Sequence, residues 1–212
     1  MQWAEGLKSA CITVSDFDKT GSEHSVLVEP AHVRDAARRL YKEKYFIEDI
    51  TVLDVAEGFQ ALYHFDHFES PGRVTLRVLA PHDDPKIPSI ADIFQGAEWH
   101  ERESMDFYSV VFTDNPNPER LLLPEDADYK PLEKEEDARV PMLDMFVFNE
   151  LVQCAPDHSM AEALQEKFEA MKEAEAKAQA EAEAKAAAEA EEKAKAEAAE
   201  GGEDAAGEKA EE

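Results

Sequence analysis

Basic residues are scarce in this chain: 22 Lys and Arg stand against 49 Asp and Glu in 212 residues, for a formal net charge of -27. A field of that sign repels phosphate backbones and anionic lipid headgroups, so a nucleic-acid or membrane-surface role would need a local basic patch that no run of the sequence announces. Basic or neutral proteins are the partners it favours. Cysteine is nearly missing. Cys11 and Cys154 lie far apart without a close second cysteine, so neither a disulfide framework nor an iron–sulfur or zinc set can be read from them, and a reducing compartment is expected. Long apolar runs are absent too: nowhere do about 18 apolar residues stand together, and Glu5 and Lys8 interrupt the short apolar pieces at the start. Neither a signal peptide nor a membrane span is expected, and membrane contact is expected only through partners.

Motifs of catalysis and nucleotide binding are missing as well. There is no GxSxG, GxGxxG or GxxxxGKS/T. His64-Phe65-Asp66-His67 reads as strand, which puts His64 and Asp66 on one face and His67 on the other, so the two histidines cannot share an ion without a bulge. His100-Glu101 starts like a zinc-protease motif but lacks the second histidine four residues on.

Three stretches of different character remain. Residues 1–114 read as an α+β globular domain. Ser25–Val28 is a short β-branched run. Pro30 then sits where a helix tolerates it, and Val33, Ala36, Ala37, Leu40 and Tyr41 recur at helical spacing, predicting an amphipathic helix over 30–43. Ile50–Ala56, Phe59–Phe68 and Arg73–Leu79, separated by Glu57-Gly58 and Ser70-Pro71-Gly72, predict an antiparallel meander. In the last run Val74, Leu76 and Val78 alternate with Arg73, Thr75 and Arg77, as expected for one buried and one wet face. Ser89 is a candidate N-cap for a helix over Ile90–Phe94, and a second helix is expected from Glu98 to Tyr108.

Residues 115–158 carry prolines at 116, 118, 124, 131 and 141 and read as an extended, partner-wrapping arm. Pro141–Gln153 fits a short helix or a strand. Residues 159–212 are Ala, Glu and Lys, with 17 acidic and 7 basic side chains, and predict a charged, solvated C-terminal helical or disordered tail. Its heptad positions are mostly alanine, which disfavours a coiled coil.

One dense constellation is left, Trp99-His100-Glu101-Arg102-Glu103-Ser104-Met105-Asp106-Phe107-Tyr108. Glu98, Arg102 and Asp106 lie four apart, so a helix would stack acid, base and acid on one face. Solvated, such a ladder contributes a few tenths of a kcal/mol per pair. Flanked by Trp99, Met105, Phe107, Tyr108 and Phe112, the charges can also belong to an interface.

Ala97-Glu98-Trp99, Glu101-Arg102-Glu103, Asp106, Phe112, Pro116, Arg120-Leu121-Leu122-Leu123-Pro124-Glu125-Asp126 and Pro131-Leu132 are similar, in order and spacing, to the signature of the C (30-kilodalton) subunit of respiratory complex I, NADH:quinone oxidoreductase. With Asp83-Asp84-Pro85 and Ile87-Pro88-Ser89-Ile90 upstream, the resemblance spans about Val26 to Leu132. Departures are Ser109 for the usual Gly, Asn115 for His, Glu119 for a basic residue, and the acidic Glu133, Glu135, Glu136 and Asp137 where a basic continuation is usual.

The resemblance implies a mixed, largely antiparallel sheet flanked by helices. The proline-rich arm would cross the large quinone-site subunit, with iron–sulfur subunits as further partners. It implies a chain without flavin or cluster, and no chemistry carried by the chain itself in a proton-pumping complex on the cytoplasmic face of the bacterial inner membrane. Glu101, Arg102, Glu103, Asp106, Phe112, Pro116, Arg120, Leu123 and Pro124 become candidate partner-interface residues. An equivalent subunit of an energy-converting membrane hydrogenase shares the resemblance, and a stand-alone acidic scaffold is the alternative from another class.

Overall fold

The computed structural model describes residues 3–8, 10–69 and 72–203, with backbone only at 183, 184 and 186–203. Ser70 and Pro71, read as part of a turn, lie outside the described residues. The strands are β1 (Ala10–Val14), β2 (His24–Val28), β3 (Phe46–Val55), β4 (Gly58–Asp66), β5 (Val74–Ala80), β6 (Lys86–Pro88), β7 (Val111–Thr113) and β8 (Glu150–Cys154). The helices are α1 (Phe17–Thr20), α2 (Val33–Lys42), α3 (Ala97–Phe107), α4 (Met142–Met145) and α5 (Ala161–Glu203).

The main sheet has the order β3-β4-β5-β2-β1-β8, antiparallel except for the parallel pair β2–β5. It is the mixed, largely antiparallel α+β architecture expected. β6 and β7 form a separate two-stranded parallel ribbon. The expected meander is β3-β4-β5, but β3 begins at Phe46, four residues before its apolar alternation becomes regular, because Phe46 and Ile47 still pair with Asp66 and Phe65 across a bulge. Gly58 turns the chain between β3 and β4, and a Cβ there would lie 2.1 Å from the Ala80 carbonyl oxygen, so no side chain fits.

Pro30 opens a 3-10 turn that leads into α2, whose Val33, Ala36, Ala37 and Leu40 are buried against Val26, Val28, Tyr63, Leu76 and Val78 of the sheet. This face contains Ile87, Ile90, Phe94 and Phe112 as well.

The second face of β5 is not wet. Thr75 is buried, and Arg77 lies 4.5 Å from the ring centre of Phe146 while its Nε donates to Ser25 Oγ at 3.2 Å. Burial pushes the Arg77 guanidinium down to about 10. Met142 of α4 and the neighbouring Phe146 and Phe148 are buried, as are Leu27 and Leu62 of the sheet's second face. The alternation along β5 is real, but the returning chain roofs the polar side.

Pro141–Gln153 contains both alternatives, α4 and then β8, which pairs with β1. That pairing sets Cys11 opposite Cys154 with Cα atoms 3.9 Å apart and the sulfurs bonded. This pairing is one that could not be read from the two cysteines in the sequence. A separation of 143 residues in sequence concealed two strands that are neighbours in space. The helix expected over Ile90–Phe94 is a single turn, closed by Ile93 and Phe94 N–H donating to the Ile90 carbonyl.

The chain divides into two compact units, up to Gln165 and from Glu166 onward. Residues 115–158 thus share a unit with 1–114. The second unit is the body of α5, which runs through Gly201 and Gly202 to Glu203. From Met171 to Ala182 its side chains are nearly all exposed.

Candidate functional site

The charged constellation forms α3, and its inward face is polar: Ala97, Glu101, Ser104 and Asp106 are the buried residues. Glu101 is fully buried. Its Oε2 accepts from Ser89 Oγ at 2.6 Å and Asn115 Nδ2 at 2.7 Å, and its Oε1 from the Ile90 N–H at 2.9 Å. One carboxylate therefore fastens the turn before α3 and the start of the arm after β7. Burial raises its pKa above the ordinary Glu value, and the three hydrogen bonds only partly offset that.

Asp106 performs the same work five residues on. Its Oδ2 accepts from the N–H groups of Leu121, Leu122 and Leu123 at 2.9, 2.6 and 3.1 Å. Burial opposes its charge, but these donors and the Arg120 guanidinium, 3.9 Å away, outweigh it and hold the carboxyl below the ordinary Asp value. Arg102 supplies the other half of the clasp, donating from Nε to the Glu119 carbonyl and from Nη2 to the Arg120 carbonyl, both at 2.9 Å. The acid–base–acid ladder is thus not what forms. Glu98 stays near Arg102 at 3.9 Å, while Asp106 turns to the arm and takes Arg120 as its cation.

Further anchors follow the arm. Arg120 donates to the Ala127 carbonyl, Lys130 to the Met105 carbonyl, and the Leu132 N–H to the Phe107 carbonyl. Buried Asp54 of β3 accepts from the Lys134 N–H at 2.9 Å and lies 2.7 Å from His82 Nε2 and 3.0 Å from Arg139 Nε. Burial works against its charge, and the His82, Lys134 and Arg139 contacts outweigh it, so its pKa is lowered. None of these long-range contacts was legible in the sequence, since Asp54 and Lys134 are remote along the chain.

The remaining candidate residues separate by position. Phe112 is buried in the core from β7. Leu123 is half-buried, and Pro116 and Pro124 are exposed where the chain enters and leaves the Asp106 clasp. Glu103 lines a cleft of about 270 Å³ with Asp49, Thr51, Phe107, Tyr108 and Leu132. Trp99 and, on the arm, Leu122, Tyr129 and Leu132 are exposed at 64, 58, 56 and 49 %. The carboxylates of Glu101 and Asp106 are engaged by the chain's own donors, so what this arrangement does is hold backbone. Among the described residues, no group of three or more His, Cys, Asp or Glu is placed to hold a metal ion.

α3, its clasp and most of the arm fall within residues 26–141, which match the family described as respiratory-chain NADH dehydrogenase, 30 Kd subunit. The chain belongs to that family. The C subunit of the NADH-quinone oxidoreductase of Roseiflexus sp. (strain RS-1) is 34 % identical over 118 residues, covering 52 % of this chain and 68 % of the relative. The same subunit in Chloroherpeton thalassium is 41 % identical over 83 residues, 39 % of this chain and 32 % of its own. The J subunit of the NAD(P)H-quinone oxidoreductase of Prochlorococcus marinus is 45 % identical over 82 residues, 35 % of this chain and 47 % of its own. A solved structure of the membrane-bound sulfane sulfur reductase, an archaeal respiratory membrane complex, shares the fold at TM-score 0.51 and 22 % identity, covering 68 % of this chain and 84 % of that one.

Two departures of this 30 Kd subunit acquire a structural account. Asn115 stands where a histidine is usual and donates its amide to Glu101, while its Oδ1 accepts from the Asn117 N–H at 2.9 Å. Ser109 replaces the usual glycine without a positive φ, and its N–H donates to Glu133, one of the unexpected acids. No helix among the described residues is long and apolar enough to cross a membrane.

Proposed function

We propose that this 30 Kd subunit is a non-catalytic docking subunit of a complex I-type NADH:quinone oxidoreductase, and that its arm is the part that meets the large quinone-site subunit. The observation that carries the reading is the direction of the signature side chains. Glu101, Arg102 and Asp106 point into the chain itself, Glu101 to the Asn115 amide, Arg102 to the Glu119 and Arg120 carbonyls, and Asp106 to three successive N–H groups that bend around its carboxylate at 121–123. Exposed along or beside the arm are Trp99, Leu122, Tyr129 and Leu132, large apolar groups of the kind that anchor interfaces. A pre-ordered arm binds at a lower entropic cost than a loose one.

In this reading the cleft bounded by Glu103, Phe107 and Tyr108 accepts a side chain of the partner. Flavin and clusters belong to neighbouring subunits, electrons pass to quinone through them, and the chain reaches the cytoplasmic face of the membrane only as part of the complex. The test is Arg102→Ala in the intact complex. Recovery of the 30 Kd chain with the complex and quinone reduction should both fall; unchanged assembly and activity would overturn the docking role of the arm.

A further inference from the structure

In an acidic chain, one place reverses the sign. From Arg38 to Lys44 the end of α2 and the loop after it carry Arg38, Lys42 and Lys44, all exposed, against a single exposed acid, Glu43. The other charges of α2 are committed: Arg34 grips Asp92 through both carboxylate oxygens at 2.8 and 2.6 Å, and Arg39 pairs with Asp35 at 3.0 Å. Arg38, Lys42 and Lys44 make no side-chain hydrogen bond or ion pair within the described residues.

Beside these cations lies an open groove of about 530 Å³, lined by Tyr41, Phe46, Ile47, Asp92, Ile93 and Phe94. Tyr41 is 60 % exposed and meets the Phe94 ring edge-on at 5.6 Å. Phe46 is stacked at 4.2 Å on Phe68, which is 83 % exposed, so the apolar surface extends beyond the groove. Asp92 brings no free negative charge, because Arg34 neutralises it, and Arg38 lies close enough to lower its pKa further. Cations at a helix C-terminus complement its dipole, but that leaves the aromatic exposure beside them unexplained.

We infer that this groove receives an acidic segment of a partner protein in the complex, with an apolar side chain seated between Tyr41, Ile93 and Phe94 and carboxylates on Arg38, Lys42 and Lys44. Opposite charge at the rim selects the segment, while the aromatic floor supplies the contact area. The site is distinct from the arm and rests on the docking-subunit reading above.

The test is carried out in the assembled complex with a photo-crosslinking residue in place of Tyr41, Tyr41→benzoylphenylalanine, followed by mass spectrometry of the crosslinked peptide. The expected product joins position 41 to one partner protein, within a segment rich in Asp and Glu that contains an apolar residue. The double variant Arg38→Glu, Lys42→Glu changes two exposed residues and should lower the crosslink yield on the order of tenfold, as should raised salt in direction. A crosslink to lipid, to a neutral or basic segment, or to nothing while the chain remains in the complex overturns this inference alone. A chain that does not purify with any complex overturns the docking-subunit reading, and this inference falls with it.

Discussion

α2 and α3 are nearly the same length and both lie against the same core, yet they are held by opposite means. α2 buries Val33, Ala36, Ala37 and Leu40, an apolar stripe that needs only to be hydrophobic and of the right volume. α3 buries Ala97, Glu101, Ser104 and Asp106, a stripe whose carboxylates must each find donors. The buried stripe of the first helix fastens it to the sheet; the buried carboxylates of the second fasten other parts of the chain to it. A family signature made of charges can therefore be a framework for the chain's own backbone.

The largest effect is expected from Glu101→Ala, which leaves the Ser89 hydroxyl, the Ile90 N–H and the Asn115 amide without their acceptor; a loss of about 4 kcal/mol should appear in urea unfolding. Leu40→Ala on α2 should cost about 3 kcal/mol by the cavity it opens. The sharper contrast is between near-isosteric changes. Leu40→Met should cost under about 1.5 kcal/mol, whereas Glu101→Gln places an NH2 against at least one donor and should cost about 2 kcal/mol.

Asp106→Asn comes next, at about 2 kcal/mol near neutral pH, and it carries a pH signature. Because the folded-state pKa of Asp106 lies below its unfolded value, its contribution is present above the ordinary Asp value of 3.8 and is lost as pH falls through the lowered one. Acid unfolding of the Asp106→Asn variant should therefore be less steep below that pH than that of the natural chain, with Asp54 supplying what remains. Glu101 works in the other direction: its pKa is raised, so its ionised form is disfavoured in the fold and protonation relieves that as pH falls. Arg102→Ala should have the smallest global effect, about 1 kcal/mol, with the loss concentrated at Glu119 and Arg120, whose carbonyls it holds. Equal costs for the conservative changes on both helices would erase the distinction between them.

Much of the sheet was legible because its signals are local. The turn at Glu57-Gly58, the alternation of Val74, Leu76 and Val78, and the helical spacing from Val33 to Leu40 each lie within a few residues, and each corresponds to an element. β1 was missed for the opposite reason, and β8 was read only as one of two alternatives for Pro141–Gln153. Five-residue strands carry little pattern, and their pairing joins the two ends of the folded unit. The roof formed by Met142, Phe146 and Phe148 could not be read from β5, whose own residues suggested a wet face.

The site was legible in its residues but not in its direction. Trp99, Met105 and Phe107 stand out in the sequence as apolar neighbours of the charges, yet Trp99 faces outward. The useful signal was smaller: Ala97 and Ser104 stand four residues before and three after Glu101 on one helical face, and small neighbours leave room for a buried carboxylate with its donors. Nothing in the local sequence marks Leu121, Leu122 and Leu123 as donors to Asp106, because a backbone N–H has no residue type.

The claim that the signature acids hold the arm from within is tested most directly by hydrogen exchange at the Leu121, Leu122 and Leu123 amides in the full-length chain and in its Asp106→Asn variant. Slow exchange at all three in the natural chain, accelerated together in the variant while the amides of β4 stay protected, is the predicted result. Fast exchange in both proteins would mean that Asp106 holds nothing in solution and that the arm takes its course only from a partner.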